Sequence, residues 1–107
     1  MISEGYTITH RHEGAGVVRI CPAGDFDVEN QAELARALLG AVRDPGVAVV
    51  VVDLGAATFV GSGVLNAMIV AYNVGLSLNK PVRVINARSA ARKVFDATGL
   101  SDLLIAE

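Results

Sequence analysis

The 107-residue sequence predicts a single α/β domain, spanning residues 1–107, with a mostly parallel mixed β-sheet, an N-terminal antiparallel hairpin and crossover helices. Three observations carry that prediction. The run Val47-Ala48-Val49-Val50-Val51-Val52 is apolar throughout and rich in β-branched residues, as expected of a strand covered on both faces. Amphipathic helical patterns flank it: Leu34, Leu38 and Val42 before, and Val64 or Leu65, Met68, Ile69, Tyr72 and Leu76 after, at three- and four-residue spacing. Two more short apolar runs, Val17 to Cys21 and Val82 to Ile85, have strand composition. Strands alternating with helices imply right-handed crossovers and hence a largely parallel sheet.

The elements follow in order. Tyr6 to Glu13 alternates weakly, and Gly14-Ala15-Gly16 permits a tight reversal into Val17 to Cys21, which makes the antiparallel hairpin. Asp27 is predicted to cap the first helix, where Ala35 and Ala41 support close packing and Asp44-Pro45-Gly46 ends the run. After the Val47 strand a short loop, Thr58-Phe59-Val60-Gly61-Ser62-Gly63, leads to a helix beginning near Val64 with Ser62 as its N-cap. Gly75 weakens that helix and Asn79-Lys80-Pro81 closes it. The Val82 to Ile85 strand is followed by a last helix, capped by Asn86 or Ser89, with Ala91, Val94 and Phe95 inward and a glycine stop at Gly99. Leu103-Leu104-Ile105 forms a short final strand. Pro22, Pro45 and Pro81 read as punctuation between elements.

Composition narrows the function. With 52% hydrophobic and 19% charged residues the chain can bury one core, and a net charge of -2 leaves none of the basic excess that direct nucleic-acid binding requires. The amino terminus lacks the features of a signal peptide and no apolar run approaches the roughly twenty residues of a membrane span, so a cytoplasmic protein without membrane contact is expected. Cys21 reads as a buried, inert thiol. His10 and His12 share a strand face, and Asp25 and Asp27 lie close together, but neither pair has a third ligand at suitable spacing, so no metal and no cofactor are expected.

The strand-to-helix junction around Ser62 is the candidate site, because a helix N-terminus exposes unpaired N–H groups to an anion or a partner chain. Gly61 and Gly63 do not make it an enzyme motif. A nucleophile elbow needs glycines at positions 60 and 64, which are both valine. A dinucleotide fingerprint begun at Gly61 meets Asn66 where its last glycine belongs, and no phosphate-binding Gly-Lys-Ser/Thr run exists. A hydrolase using Ser62 lacks an assignable histidine base.

Val51-Val52-Asp53-Leu54 followed by Phe59-Val60-Gly61-Ser62-Gly63-Val64-Leu65-Asn66-Ala67 resembles the signature of the STAS domain family, the anti-sigma factor antagonists. There a strand ending in Asp-Leu leads to Phe, an apolar residue and Asp-Ser-Ser-Gly-Leu at a helix start. Gly24-Asp25-Phe26-Asp27 is similar to the family's Gly-Glu-Leu-Asp, and Arg92 to Leu100 is similar to its last helix, which ends in Thr-Gly-Leu. With Phe59 and Leu65 as anchors the register needs no gap. Gly61 then replaces the family Asp, Ser62 matches the first Ser, Gly63 falls where the phosphorylated second Ser is expected, and Val64 replaces the Gly.

The resemblance implies a STAS fold and a protein that acts by binding, not catalysis. The implied partner is a kinase-like anti-sigma factor, whose capture frees a sigma factor for transcription. Asp25, Asp27, Gly61, Ser62, Gly63, Val64 and Asn66 are the implied partner-binding residues. With no hydroxyl at Gly63, phospho-control is expected to be absent or altered, and Ser62 is the substitute phosphoacceptor candidate. The family reading leaves room for a homodimer. The alternative is a diverged STAS module serving as a scaffold or a nucleotide- or lipid-responsive subunit, favoured by Val64 at the docking edge. Arg88, Arg92 and Lys93, with Arg83 nearby, read as a solvated face open to an acidic partner.

Overall fold

The computed structural model describes residues 5–87 and the backbone of residues 104–105. The predicted last helix and its basic cluster lie outside the described residues. Those described form β1 (Tyr6–His12), β2 (Val17–Phe26), α1 (Gln31–Arg43), β3 (Val49–Asp53), β4 (Ala57–Val60), α2 (Ser62–Ser77), β5 (Val82–Ile85) and β6 (Leu104–Ile105). Their strands form one mixed sheet in the order β1-β2-β3-β5-β6, with β4 also paired to β2. Only β1 runs antiparallel to its neighbour; the β2–β3, β2–β4, β3–β5 and β5–β6 ladders are parallel. This is the α/β architecture expected from the alternation of elements.

The hairpin turns where the sequence places it. Gly14, Ala15 and Gly16 have φ of 85°, 55° and 79°, a run of left-handed backbone eased by the two glycines. β2 continues past the predicted end at Cys21, through Pro22, to Phe26. Its pairing with β3 stops at Ile20 and its pairing with β4 starts at Gly24, so Pro22 sits where β2 changes partner. Cys21 is half-buried, not buried as expected.

The core lies between one face of the sheet and the two described helices. Val18, Ile20, Val50, Val52, Val82 and Val84 supply the sheet side, and Leu34, Leu38, Val42, Val64, Leu65 and Met68 the helix side. Each such side chain contributes about 1.5–3 kcal/mol when fully withdrawn from water. α1 buries the predicted stripe. α2 departs from its prediction at the far end, because Leu76 is 60% exposed and Gly75 turns inward instead. A Cβ on Gly75 would stand 2.4 Å from the Lys80 carbonyl oxygen and 2.9 Å from Val82 Cγ2, so the return into β5 passes directly against the bare backbone.

Three predicted boundaries are corrected. The segment predicted as loop contains β4, since Gly24, Asp25 and Phe26 pair with Ala57, Phe59 and Val60. Helix α1 begins at Gln31 with Asn30 at its N-cap position, three residues after the predicted cap at Asp27. Helix α2 begins at Ser62 with Gly61 as N-cap, so Ser62 is a helical residue and caps nothing. At α2 a polar residue able to cap was available, and the β2–β4 register decided where the helix enters.

At the C-terminal end of β3, Asp53 ties three segments together. Its Oδ1 accepts N–H groups from Gly55 at 2.9 Å and from Asn86 Nδ2 at 2.9 Å, and its Oδ2 accepts Arg19 Nη1 at 3.2 Å. Arg19 Nε also stands 3.0 Å from Glu13 Oε2, an ion pair off hydrogen-bond alignment. Partial burial disfavours the Asp53 carboxylate, but the bonds from Asn86, Gly55 and Arg19 overcome it and hold the carboxyl below its ordinary range. Asn86, one of two predicted caps for the last helix, spends its side-chain amide on this link.

Candidate functional site

The ends of β2 and β4 deliver both helix starts to one corner. Gly61 donates its N–H to the Phe26 carbonyl at 2.9 Å, which extends the parallel pairing by one bond and holds the α2 entrance beside Asp27. Gly61 then turns the chain with φ -76° and ψ 167°, and its carbonyl accepts from Val64 at 3.1 Å and Leu65 at 3.2 Å to begin the helix. Ser62 is exposed and makes no side-chain capping bond. The first turn carries no acidic residue, so the helix dipole there is not offset by a carboxylate of its own.

Asp25 and Asp27 are both exposed on the approach to α1. Asp27 Oδ1 accepts the Glu29 N–H at 3.0 Å, and the Asp27 carbonyl accepts from Gln31 at 2.9 Å. Asp27 thus shapes the turn ahead of the helix and does not cap the helix itself. A β-bulge sits opposite Asp25, because two steps along β4, from Ala57 to Phe59, match one step along β2, from Gly24 to Asp25. The extra residue is Thr58, whose hydroxyl donates to Asp25 Oδ1.

Of the expected site residues, Asp25, Asp27, Gly61, Ser62 and Gly63 come together at this corner. Asn66 is exposed one turn along α2 from Ser62, on the same helix face. Val64 is corrected: it is 0% exposed and belongs to the core, so no partner can touch it. It follows Gly63 by one helical step of about 100°, which turns its side chain toward the sheet. With Val64 buried, the scaffold alternative loses the sequence feature that favoured it.

Several residues without a strong sequence signal of their own complete the surface. Val28 and Phe59 are 78% and 55% exposed and flank the carboxylates, giving the corner two apolar anchors. Asn30, only 8% exposed, pins the corner from beneath. Gln31 lies over Gly63: a Cβ added at Gly63 would stand 1.9 Å from Gln31 Oε1. Asn30 was legible in principle, as a capping residue type four positions before Leu34; the exposure of Phe59 and the overlap at Gly63 required the tertiary structure. His10 and His12, by contrast, lie on β1 and line a shallow groove with Arg36 and Asp44, and Ser62 is not among its lining residues.

Comparison with known proteins places this geometry. The family described as Mlab, STAS domain, matches residues 9–106. Among solved structures, phosphorylated SpoIIAA of Bacillus superposes with a TM-score of 0.81 at 15% identity, covering 94% of this chain and 91% of that one. An anti-sigma factor antagonist from Mycobacterium paratuberculosis gives a TM-score of 0.78 at 25% identity, covering 94% of this chain and 84% of that one. The murine anion transporter Slc26a9 shares the fold in one part only, with a TM-score of 0.67 at 13% identity over 85% of this chain and 15% of that one. No curated protein matches the sequence. Among the described residues no helix is long and apolar enough to cross a membrane.

Proposed function

The chain belongs to the STAS domain family, matched from residue 9 to residue 106, and from that premise we propose that it is an anti-sigma factor antagonist which binds a kinase-like anti-sigma factor and frees a sigma factor. The observation that carries this reading is the exposed corner where Asp25 pairs with Phe59, Val28 follows Asp27, and Ser62 opens the second helix beside them. Apolar anchors supply the desolvated centre of a protein contact, and the carboxylates around them select a partner with complementary basic groups. Binding by this corner needs no reaction at Ser62, whose hydroxyl bonds no base among the described residues.

Phospho-control is absent or altered in the same reading. A phosphate of about −1.5 to −2 charge in a desolvated contact breaks it readily, since a hundredfold loss of affinity is only about 2.7 kcal/mol. Gly63 has no hydroxyl to receive that group. The exposed Ser62 hydroxyl lies one residue earlier, about 100° around the helix from the position a kinase would address.

The test is binding and release with a cognate kinase-type anti-sigma factor. The wild type should displace the sigma factor from its complex in size-exclusion chromatography and should gain no phosphate by intact mass when ATP is added. Phe59→Ala and Asp27→Lys should each weaken binding at least tenfold with the native circular dichroism spectrum retained. No complex at micromolar concentrations would overturn the function, and rapid phosphorylation of Ser62 would overturn the account of its control.

A further inference from the structure

Gly63 lies in the first turn of α2 and is not among the residues with positive φ, so its backbone is one that any amino acid adopts. Conformation therefore does not require glycine there. What occupies the space of a side chain is the carboxamide of Gln31, the first residue of α1. A Cβ at position 63 would stand 1.9 Å from Gln31 Oε1, 2.6 Å from its Cδ and 2.8 Å from its Nε2, all below the 3.0 Å that real Cβ contacts respect. The nearest atoms are all from this one carboxamide.

We propose that Gln31 and Gly63 form a two-residue closure of the modification position, with Gln31 the residue that determines whether a side chain at position 63 can face a modifying partner. This rests on the docking corner described above and deepens it, because it places the loss of phospho-control on two helices instead of one position. The carboxamide is the free end of a flexible side chain, so a small side chain at 63 displaces it without unfolding the corner. It remains within reach, however. Its Nε2 can donate to a hydroxyl at 63 and its Oε1 can accept from one, which holds that hydroxyl under the amide and away from an in-line approach. Restoring a serine at 63 thus restores the nucleophilic atom without uncovering it.

The closure is tested without any partner. Cys21 is the sole cysteine, so a Cys21→Ser background carrying Gly63→Cys has one thiol, and its rate of alkylation by iodoacetamide reports access to position 63. Each rate is divided by that of the same variant unfolded in urea, after circular dichroism has shown the native spectrum. Adding Gln31→Ala should raise the normalised rate at least fivefold; a smaller ratio overturns the closure. A second arm uses the anti-sigma kinase and ATP: Gly63→Ser should gain phosphate slowly, and Gly63→Ser with Gln31→Ala at least fivefold faster. Equal rates in that arm also overturn it. Since alkylation needs no anti-sigma factor, a chain that binds none yet shows the fivefold ratio loses the proposed function and keeps the closure, and the converse result separates them equally well.

Discussion

Asn30 Oδ1 accepts the backbone N–H of Asp27 at 2.8 Å, while Asn30 Nδ2 donates to the Asp25 carbonyl at 2.8 Å. One buried amide thereby fixes the backbone of both exposed carboxylates. Asn30→Ala should cost about 2 kcal/mol, roughly 1 for each bond lost, in urea denaturation. Asn30→Asp should give no rescue, because its second oxygen would face the Asp25 carbonyl without a proton to offer. A variant as stable as the wild type would remove Asn30 from the support of the corner.

Ser62 makes no capping bond, so its replacement separates the two roles a serine could have at this junction. A true N-cap serine costs typically about 1 kcal/mol when changed to alanine. Ser62→Ala should instead change stability by less than about 0.5 kcal/mol, as for an ordinary exposed position. The check is the midpoint and slope of chemical unfolding, and a loss near 1 kcal/mol would restore the capping role.

Gly75 sets helix propensity against packing. Alanine in a helix interior is favoured over glycine by about 1 kcal/mol. Against that, a Cβ here meets the Lys80 carbonyl oxygen at 2.4 Å, and both partners are backbone-anchored, since Lys80 N–H donates to the Gly75 carbonyl at 2.8 Å. Overpacking of this kind costs about 1–3 kcal/mol. Gly75→Ala should therefore lower the thermal midpoint; a rise would mean that the turn into β5 yields without cost.

Asp53 gives the fold an acid-sensitive link. Its folded carboxyl titrates below the unfolded one, so the stabilisation is complete above the ordinary carboxylate value of about 4 and disappears as pH falls through the lower folded value. Asp53→Asn should be less stable than the wild type at pH 7, and the gap should narrow steadily below pH 4. A gap independent of pH would show that the carboxylate charge does not contribute.

Much of the fold is legible in the sequence because it depends on local pattern. The hairpin, the Leu34-Leu38-Val42 stripe and the Val82 to Ile85 strand follow from turn residues and periodicity, and each lies where expected. The misplaced features at the entrance to α2 all involve one strand. β4 covers only Ala57–Val60, too short for a periodic signal, and pairs with β2 across more than thirty residues of intervening chain. Once that pairing exists, Gly61 is bonded to Phe26 and must be the residue that turns, which moves the cap from Ser62 and carries Val64 into the core.

The sequence by itself determined the family, the alternation of strands and helices, and the missing hydroxyl at Gly63, since these are properties of residue identity and spacing. The tertiary structure alone decided that Val28 and Phe59 stand outside and that the amide of Gln31 fills the space beside Gly63. These are contacts between segments distant in the chain, settled by strand register and by how closely two helix ends approach.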